Sequence, residues 1–208
     1  MDHLTNLFTL LELTRSQPQY GYVLSGVKQN DLSNLAEHQY LVTFFAWQLA
    51  RGLKDKGANI SAEKVMEFAL IHDLGELFGG DISAPYARVN PKAREHAKNF
   101  EWENQMFLSK FFGSDSEYFK QLSKEILDPH KDEAIIAKFA DYVEHAHFKE
   151  YLKFSSKKFD INLAKPHLEA LVSKLTDSVA RKELTQFISS WVENIGTREV
   201  TEILYGGK

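Results

Sequence analysis

Eleven residues most constrain what this chain can fold into: His72-Asp73-Leu74-Gly75-Glu76-Leu77-Phe78-Gly79-Gly80-Asp81-Ile82. They follow the apolar run Val65-Met66-Glu67-Phe68-Ala69-Leu70-Ile71, so an imidazole and three carboxylates enter a strongly hydrophobic neighbourhood. Charged groups placed there need a salt bridge, a set of hydrogen bonds or a metal ion. Helical geometry favours the metal. On a helix His72 and Asp73 stand about 100° apart and can flank one ion. Glu76 is four residues beyond His72 and three beyond Asp73, which puts it over the same face. Gly79-Gly80 then ends the helix and frees the backbone to swing Asp81 back toward that face.

The 208 residues contain no cysteine, which excludes disulfides and thiolate metal sites. Any ion must be held by nitrogen and oxygen, which suits one divalent cation among Mn, Co, Fe, Mg, Ni and Zn. A net charge of −4 gives no footprint for polymeric nucleic acid, while leaving room for a local basic pocket. The start of the chain, with Asp2 and His3, lacks the basic-then-apolar design of a signal peptide. No run approaches about 18 uninterrupted apolar residues, so no membrane partner and a cytoplasmic location are expected. The length fits one domain with a small extension.

Apolar periodicity predicts an all-α fold. A first helix covers 4–13, and an ordered loop follows over 16–34. Asn34 or Ser33 caps a helix from Leu35 to about Lys56, and Ser61 caps the helix that carries the His72-Asp73 pair. Residues 82–90 read as a second loop. Asn90-Pro91 starts a helix to Phe112, and Gly113-Ser114-Asp115 breaks it. A shorter helix runs to Leu127, and another from Asp132 to Phe154. Ser155-Ser156-Lys157-Lys158 is a hydrophilic joint, with final helices at 166–174 and 178–205.

Two further fragments give the central motif its context. Ala36-Glu37-His38 puts a histidine in the first turn of its helix, and Ile135-Ile136-Ala137-Lys138-Phe139-Ala140-Asp141 ends an apolar run on an aspartate. The order H … HD … D resembles the HD-domain superfamily of metal-dependent phosphohydrolases. Ala36-Glu37-His38, His72-Asp73-x-x-Glu76 and Gly80-Asp81-Ile82 are similar to its 5′-deoxynucleotidase branch. The resemblance covers roughly residues 5–155 and implies a helical HD domain over 1–155, with 156–208 as a C-terminal helical extension packed on it. It implies His38, His72, Asp73 and Asp141 as ligands of one divalent ion, and a homodimer. Its substrate class is a small phosphate ester, a (deoxy)nucleoside 5′-monophosphate.

Glu76 and Asp81 are the candidate catalytic groups, for orienting water or exchanging its proton, and the sequence does not divide these roles. Their structural alternatives are a surface helix residue and a turn cap. Asp141 has rivals in an ion pair with Lys138 or His145 on its own helix, or a second metal position with His145. Glu144, His145 and His147 read as polar helix-face residues, with Glu144 placed to orient a ligand. In the loop before His38, Tyr22 is a stacking candidate, and Arg15, Lys28 and Arg88 are candidate phosphate partners. The branch's basic residue and tryptophan are missing from this loop. Two other functions remain open: hydrolysis of another phosphate substrate such as guanosine pyrophosphate, and a non-catalytic, metal-stapled interaction domain.

Overall fold

Asn34 closes the capping box that starts the longest described helix. Its side chain accepts from the Glu37 amide at 3.0 Å, and the Glu37 carboxylate accepts from the Asn34 amide at 3.3 Å. Satisfying two orphan donors reciprocally fixes the helix start, and with it the position of His38 one residue further on. The computed structural model describes residues 2–153 and 157–206. Its helices are α1 (Asp2–Leu11), α2 (Leu35–Asp55), α3 (Ala62–Ile71), α4 (Ala84–Val89), α5 (Pro91–Ser109), α6 (Ser116–Leu127), α7 (Asp132–Tyr151), α8 (Lys157–Lys174), α9 (Ser178–Asn194) and α10 (Val200–Gly206). Short 3-10 turns at Glu12–Arg15, Tyr20–Ser25, Gln29–Asp31, Leu74–Phe78 and Gly113–Asp115 join them, and no strand occurs among the described residues. The all-α expectation is met. No described helix is long and apolar enough to cross a membrane.

α2, α3 and α7 pack on one another around Val42, Ala46, Phe68, Ala69, Ile136 and Phe139, all buried. Each such large side chain contributes about 1.5–3 kcal/mol through removal from water. The same core continues into α8 and α9 through Leu168, Val172, Leu184, Ile188 and Trp191. The stretch at 16–34 is tied down at its ends. Gln19 donates to the Ser33 carbonyl at 2.9 Å, and Leu35 donates to Gln17 at 2.8 Å.

Four boundaries differ from expectation. α3 stops at Ile71, because Asp73 leaves the helical region (φ −118°, ψ 13°) and the chain continues as a 3-10 turn. Residues 84–89 form a helix rather than a loop, since Pro85 occupies the first turn, where its fixed φ suits a helix. Pro166 lies inside α8 instead of starting a helix. The helix expected over 178–205 is two, parted where Gly196 takes φ +62°. The expected joint at 155–158 and the end at Phe154 fall partly outside the described residues.

Asp177 caps α9, accepting from the Ala180 amide at 2.7 Å, and also accepts from the Asn59 amide at 2.9 Å. These amide hydrogen bonds hold its carboxyl below the usual range. A depressed folded-state pKa adds stability above the ordinary carboxylate range and loses it as pH falls through the folded value. Asp177→Ala should therefore cost about 0.5–2 kcal/mol at neutral pH, read from a denaturation midpoint. The gap to wild type should close in acid.

Candidate metal centre

The three central helices each deliver part of one cluster. α2 brings His38 in its first turn, the end of α3 brings His72 and Asp73, and the middle of α7 brings Asp141. One ligand atom from each of these side chains lies within 4.8 Å of all the others. His38 Nε2 is 3.2 Å from His72 Nε2, 3.4 Å from Asp73 Oδ2 and 3.3 Å from Asp141 Oδ1. Both imidazoles are fully buried, and the two aspartates are 8 % exposed.

The donor chemistry fits a divalent cation. His72 Nδ1 is 2.7 Å from the Ala69 carbonyl, which only accepts, so the hydrogen sits on Nδ1 and the Nε2 lone pair faces the cluster. His38 Nδ1 is 2.6 Å from Glu144 Oε2, which turns the other nitrogen inward. Asp141 Oδ1 is buried without a hydrogen-bond partner, although His145 Nδ1 lies 3.0 Å away. That nitrogen bonds the Asp141 main-chain carbonyl instead. Ring nitrogens and carboxylate oxygens thus converge on one point, an arrangement that a proton on His38 or a bound cation stabilises.

Charges around the cluster keep its aspartates ionised. Burial alone would raise Asp73, but His72 and Lys138 hold it well below the carboxylate range. Burial is likewise outweighed at Asp141, by Lys138 and His145. Lys138 Nζ stands 3.7 Å from Asp73 Oδ1 and 3.5 Å from Asp141 Oδ2. The pairings of Asp141 with Lys138 and His145 exist alongside the cluster and do not replace it. Burial disfavours a charge on His38, yet bonds to Asp141, Asp73 and Glu144 lift its pKa well above the ordinary value.

A cavity of about 520 Å³ opens over this floor, lined among others by Asp73, Glu76, Asp81, Glu101, Lys138 and Asp141. Glu76 reaches it from the 3-10 turn, not from the expected helix. At three residues per turn, Glu76 stacks over Asp73 rather than over His72. Burial, with Asp73, Asp81 and Glu101 nearby, pushes its carboxyl well above the ordinary range. Gly79 and Gly80 adopt φ +96° and +109°, the left-handed freedom expected there. Asp81 returns to the cavity and accepts from the Gly21 amide at 2.5 Å, latching the Tyr20–Ser25 turn over the site. Burial also raises Asp81, against that hydrogen bond.

The expected substrate residues divide. Tyr22 and Arg88 line the cavity. The Tyr22 ring is packed 5.1 Å from His145 and 4.7 Å from Phe148, and its buried hydroxyl has no hydrogen-bond partner. Arg15 and Lys28 are not brought to the cavity; Arg15 pairs at the surface with Glu12 at 2.7 Å, and Lys28 is exposed. Several lining residues were not singled out from sequence: Glu101, Arg94, Lys98, Tyr142 and His167. Burial raises the Glu101 carboxyl to about 7. Residues 94, 98 and 101 share one face of α5, a visible spacing that reads by default as a solvated helix surface.

A family model described as HD domain matches residues 13–177. A 5′-deoxynucleotidase of Vibrio vulnificus is 32% identical over 146 residues, which cover 68% of this chain and 73% of the relative. A second, from Photorhabdus temperata, is 32% identical over 140 residues, 65% of this chain and 69% of its own. Among solved structures, a conserved hypothetical protein from Pyrococcus furiosus superposes with a TM-score of 0.66 at 25% identity, over 89% of this chain and 99% of that one.

The turn between Asp73 and Glu76 is docked on α5 without space for a side chain at Gly75. Asn104 donates to the Gly75 carbonyl at 2.7 Å, and a Cβ on Gly75 would meet the Glu101 main-chain oxygen at 2.7 Å and collide with the Glu101 side chain. Gly75→Ala should destabilise the protein by about 1–3 kcal/mol through overpacking, read as a lowered melting temperature.

Proposed function

The chain belongs to the HD-domain family, and on that premise we propose that it is a metal-dependent phosphohydrolase releasing phosphate from (deoxy)nucleoside 5′-monophosphates. The observation that carries this is the convergence of His38, His72, Asp73 and Asp141 on one point at the floor of a cavity. Relatives named as 5′-deoxynucleotidases support the nucleotide part. We assign these four side chains as ligands of one divalent cation, whose identity among the metals suited to nitrogen and oxygen donors is left to elemental analysis. When bound, such a cation supplies Lewis acidity toward a phosphoryl oxygen and toward water.

The chain's own residues do the rest. Glu144 fixes the orientation of His38 through the 2.6 Å contact with Nδ1, and the Ala69 carbonyl does the same for His72. Lys138 holds both aspartates ionised and in register. Glu76, standing over Asp73 with an elevated pKa, is suited to orient the attacking water and exchange its proton. The water oxygen forms the new bond to phosphorus as the bond to the sugar oxygen breaks, and the departing oxygen takes a proton. Asp81 keeps the Tyr20–Ser25 turn closed over the site and shares the proton work. Arg88 is the one expected phosphate partner that lines the cavity. We place the protein in the cytoplasm as a homodimer, for which the exposed row Tyr40, Leu41 and Phe44 on α2 offers a pairing face.

Phosphate release should be measured over a panel of nucleoside 5′-monophosphates with Mn²⁺ or Co²⁺ added, and chelation should abolish it. No release from any monophosphate with any metal overturns the proposal. Glu76→Gln should lower kcat by about 10²–10⁴-fold with metal content retained. Glu144→Ala should weaken metal binding by about 10–100-fold, measured by titration of the metal.

A further inference from the structure

The wall of the cavity is basic where its floor is acidic. Arg88 ends α4, and Arg94 and Lys98 stand four residues apart on one face of α5. All three line the main cavity, and all three also line an adjoining space of about 410 Å³. That space runs toward Gly79-Gly80, Ala87 and Ala97, and it touches none of His38, His72, Asp73 or Asp141. The cations are therefore gathered to one side of the metal floor. None of the three makes an ion pair or a side-chain hydrogen bond with a described residue. His167 of α8 lines both spaces with them and has its pKa lowered by burial and then by Arg88 and Arg94.

An isolated exposed cation is ordinary on a protein of this charge. Three such cations lining one space are not, in a chain of net charge −4, and the Glu76 and Glu101 carboxylates that line the same space form an ion pair with none of them. Guanidinium groups match a phosphoryl group with two parallel donors, and the ligand expected in this cavity is a phosphate ester. The phosphoryl group under attack must sit at the floor, beside Asp73 and Asp141. A second anion is needed to use the wall.

We propose that Arg94 and Lys98, together with Arg88, form a subsite for a second phosphoryl group, so that the preferred substrate is a nucleotide bearing two phosphates. This rests on the cavity being a phosphate-ester site, as above. The second phosphate has two chemical sources, an ester on another sugar hydroxyl or an anhydride on the first phosphate, and the subsite recognises what they share.

The test is isothermal titration of Glu76→Gln protein, in which turnover is suppressed, in Mn²⁺ buffer. The titrants are adenosine 5′-monophosphate, adenosine 3′,5′-bisphosphate and adenosine 5′-diphosphate. One of the latter two should bind at least about tenfold tighter than the monophosphate, as an added guanidinium–phosphate pair implies. Which of them gains identifies the source of the second phosphate. Adding Arg94→Ala and Lys98→Ala should erase the difference. Equal affinities, a difference that survives both substitutions, or no binding of any of the three overturns the subsite. Phosphate release by wild type, assayed alongside, separates the two proposals. Monophosphate hydrolysis with a flat ranking leaves the activity and removes the subsite, while a clear ranking without hydrolysis does the reverse.

Discussion

Two ionised aspartates and two imidazole lone pairs share one buried point, and the architecture exists to make that tolerable. In a medium of low dielectric, like charges within 4.8 Å repel strongly unless a cation compensates. Lys138 supplies one positive charge from inside the fold, at 3.5–3.7 Å from both carboxylates. It cannot neutralise two, and it approaches the oxygens that face away from the histidines. The inward-facing oxygens, Asp73 Oδ2 and Asp141 Oδ1, are left for an ion. The close packing of α2, α3 and α7 is what keeps these donors from moving apart, because each helix carries at least one of them and none can shift without disturbing the shared core.

The cluster was legible in the sequence because its signals are local and additive. A polar residue ending an apolar helical run is costly, and two such endings, at His72-Asp73 and at Asp141, in the right order leave few structural explanations. His38 was legible through its company, and the structure gives that company a physical meaning. Glu37 is not part of the site; it closes the capping box that sets where α2 starts and thus where His38 stands. Glu144, three residues beyond Asp141, read first as a polar helix-face residue and second as an orienting group, and its 2.6 Å contact with His38 is the second role in geometry.

Other features were illegible for equally physical reasons. Helix phasing put Glu76 over the face shared by His72 and Asp73, yet Asp73 breaks the helix and the tighter turn keeps Glu76 over Asp73 alone. No propensity marks that break, since it follows from the docking of Gly75 against α5, a tertiary contact. Pro85 and Pro166 were read as punctuation, while packing let a helix begin at one and continue through the other. Two of the three expected phosphate partners, Arg15 and Lys28, were sought around the loop before His38, because proximity in sequence is all that a pattern offers. Arg15 instead lies on the surface with Glu12, whereas Arg88 of α4 lines the cavity together with Arg94 and Lys98 of α5.

This distribution of charge has a consequence for how a phosphate ester approaches. A uniformly acidic cavity would attract the cation and repel the substrate, and a uniformly basic one would do the opposite. Here Asp73 and Asp141 share a single space with Arg88, Arg94 and Lys98, and the adjoining space that the three cations also line reaches Glu76 but neither aspartate. Field lines between such walls orient a dipolar or doubly charged ligand before it makes contact. The overall charge of −4 hides this, because a sum over the chain carries no information about placement. The acidic end is rigid, built from buried core helices, whereas the basic end is made of long exposed side chains that reorganise at little cost. The two ends therefore divide the work: the floor fixes the chemistry, and the wall decides which esters reach it.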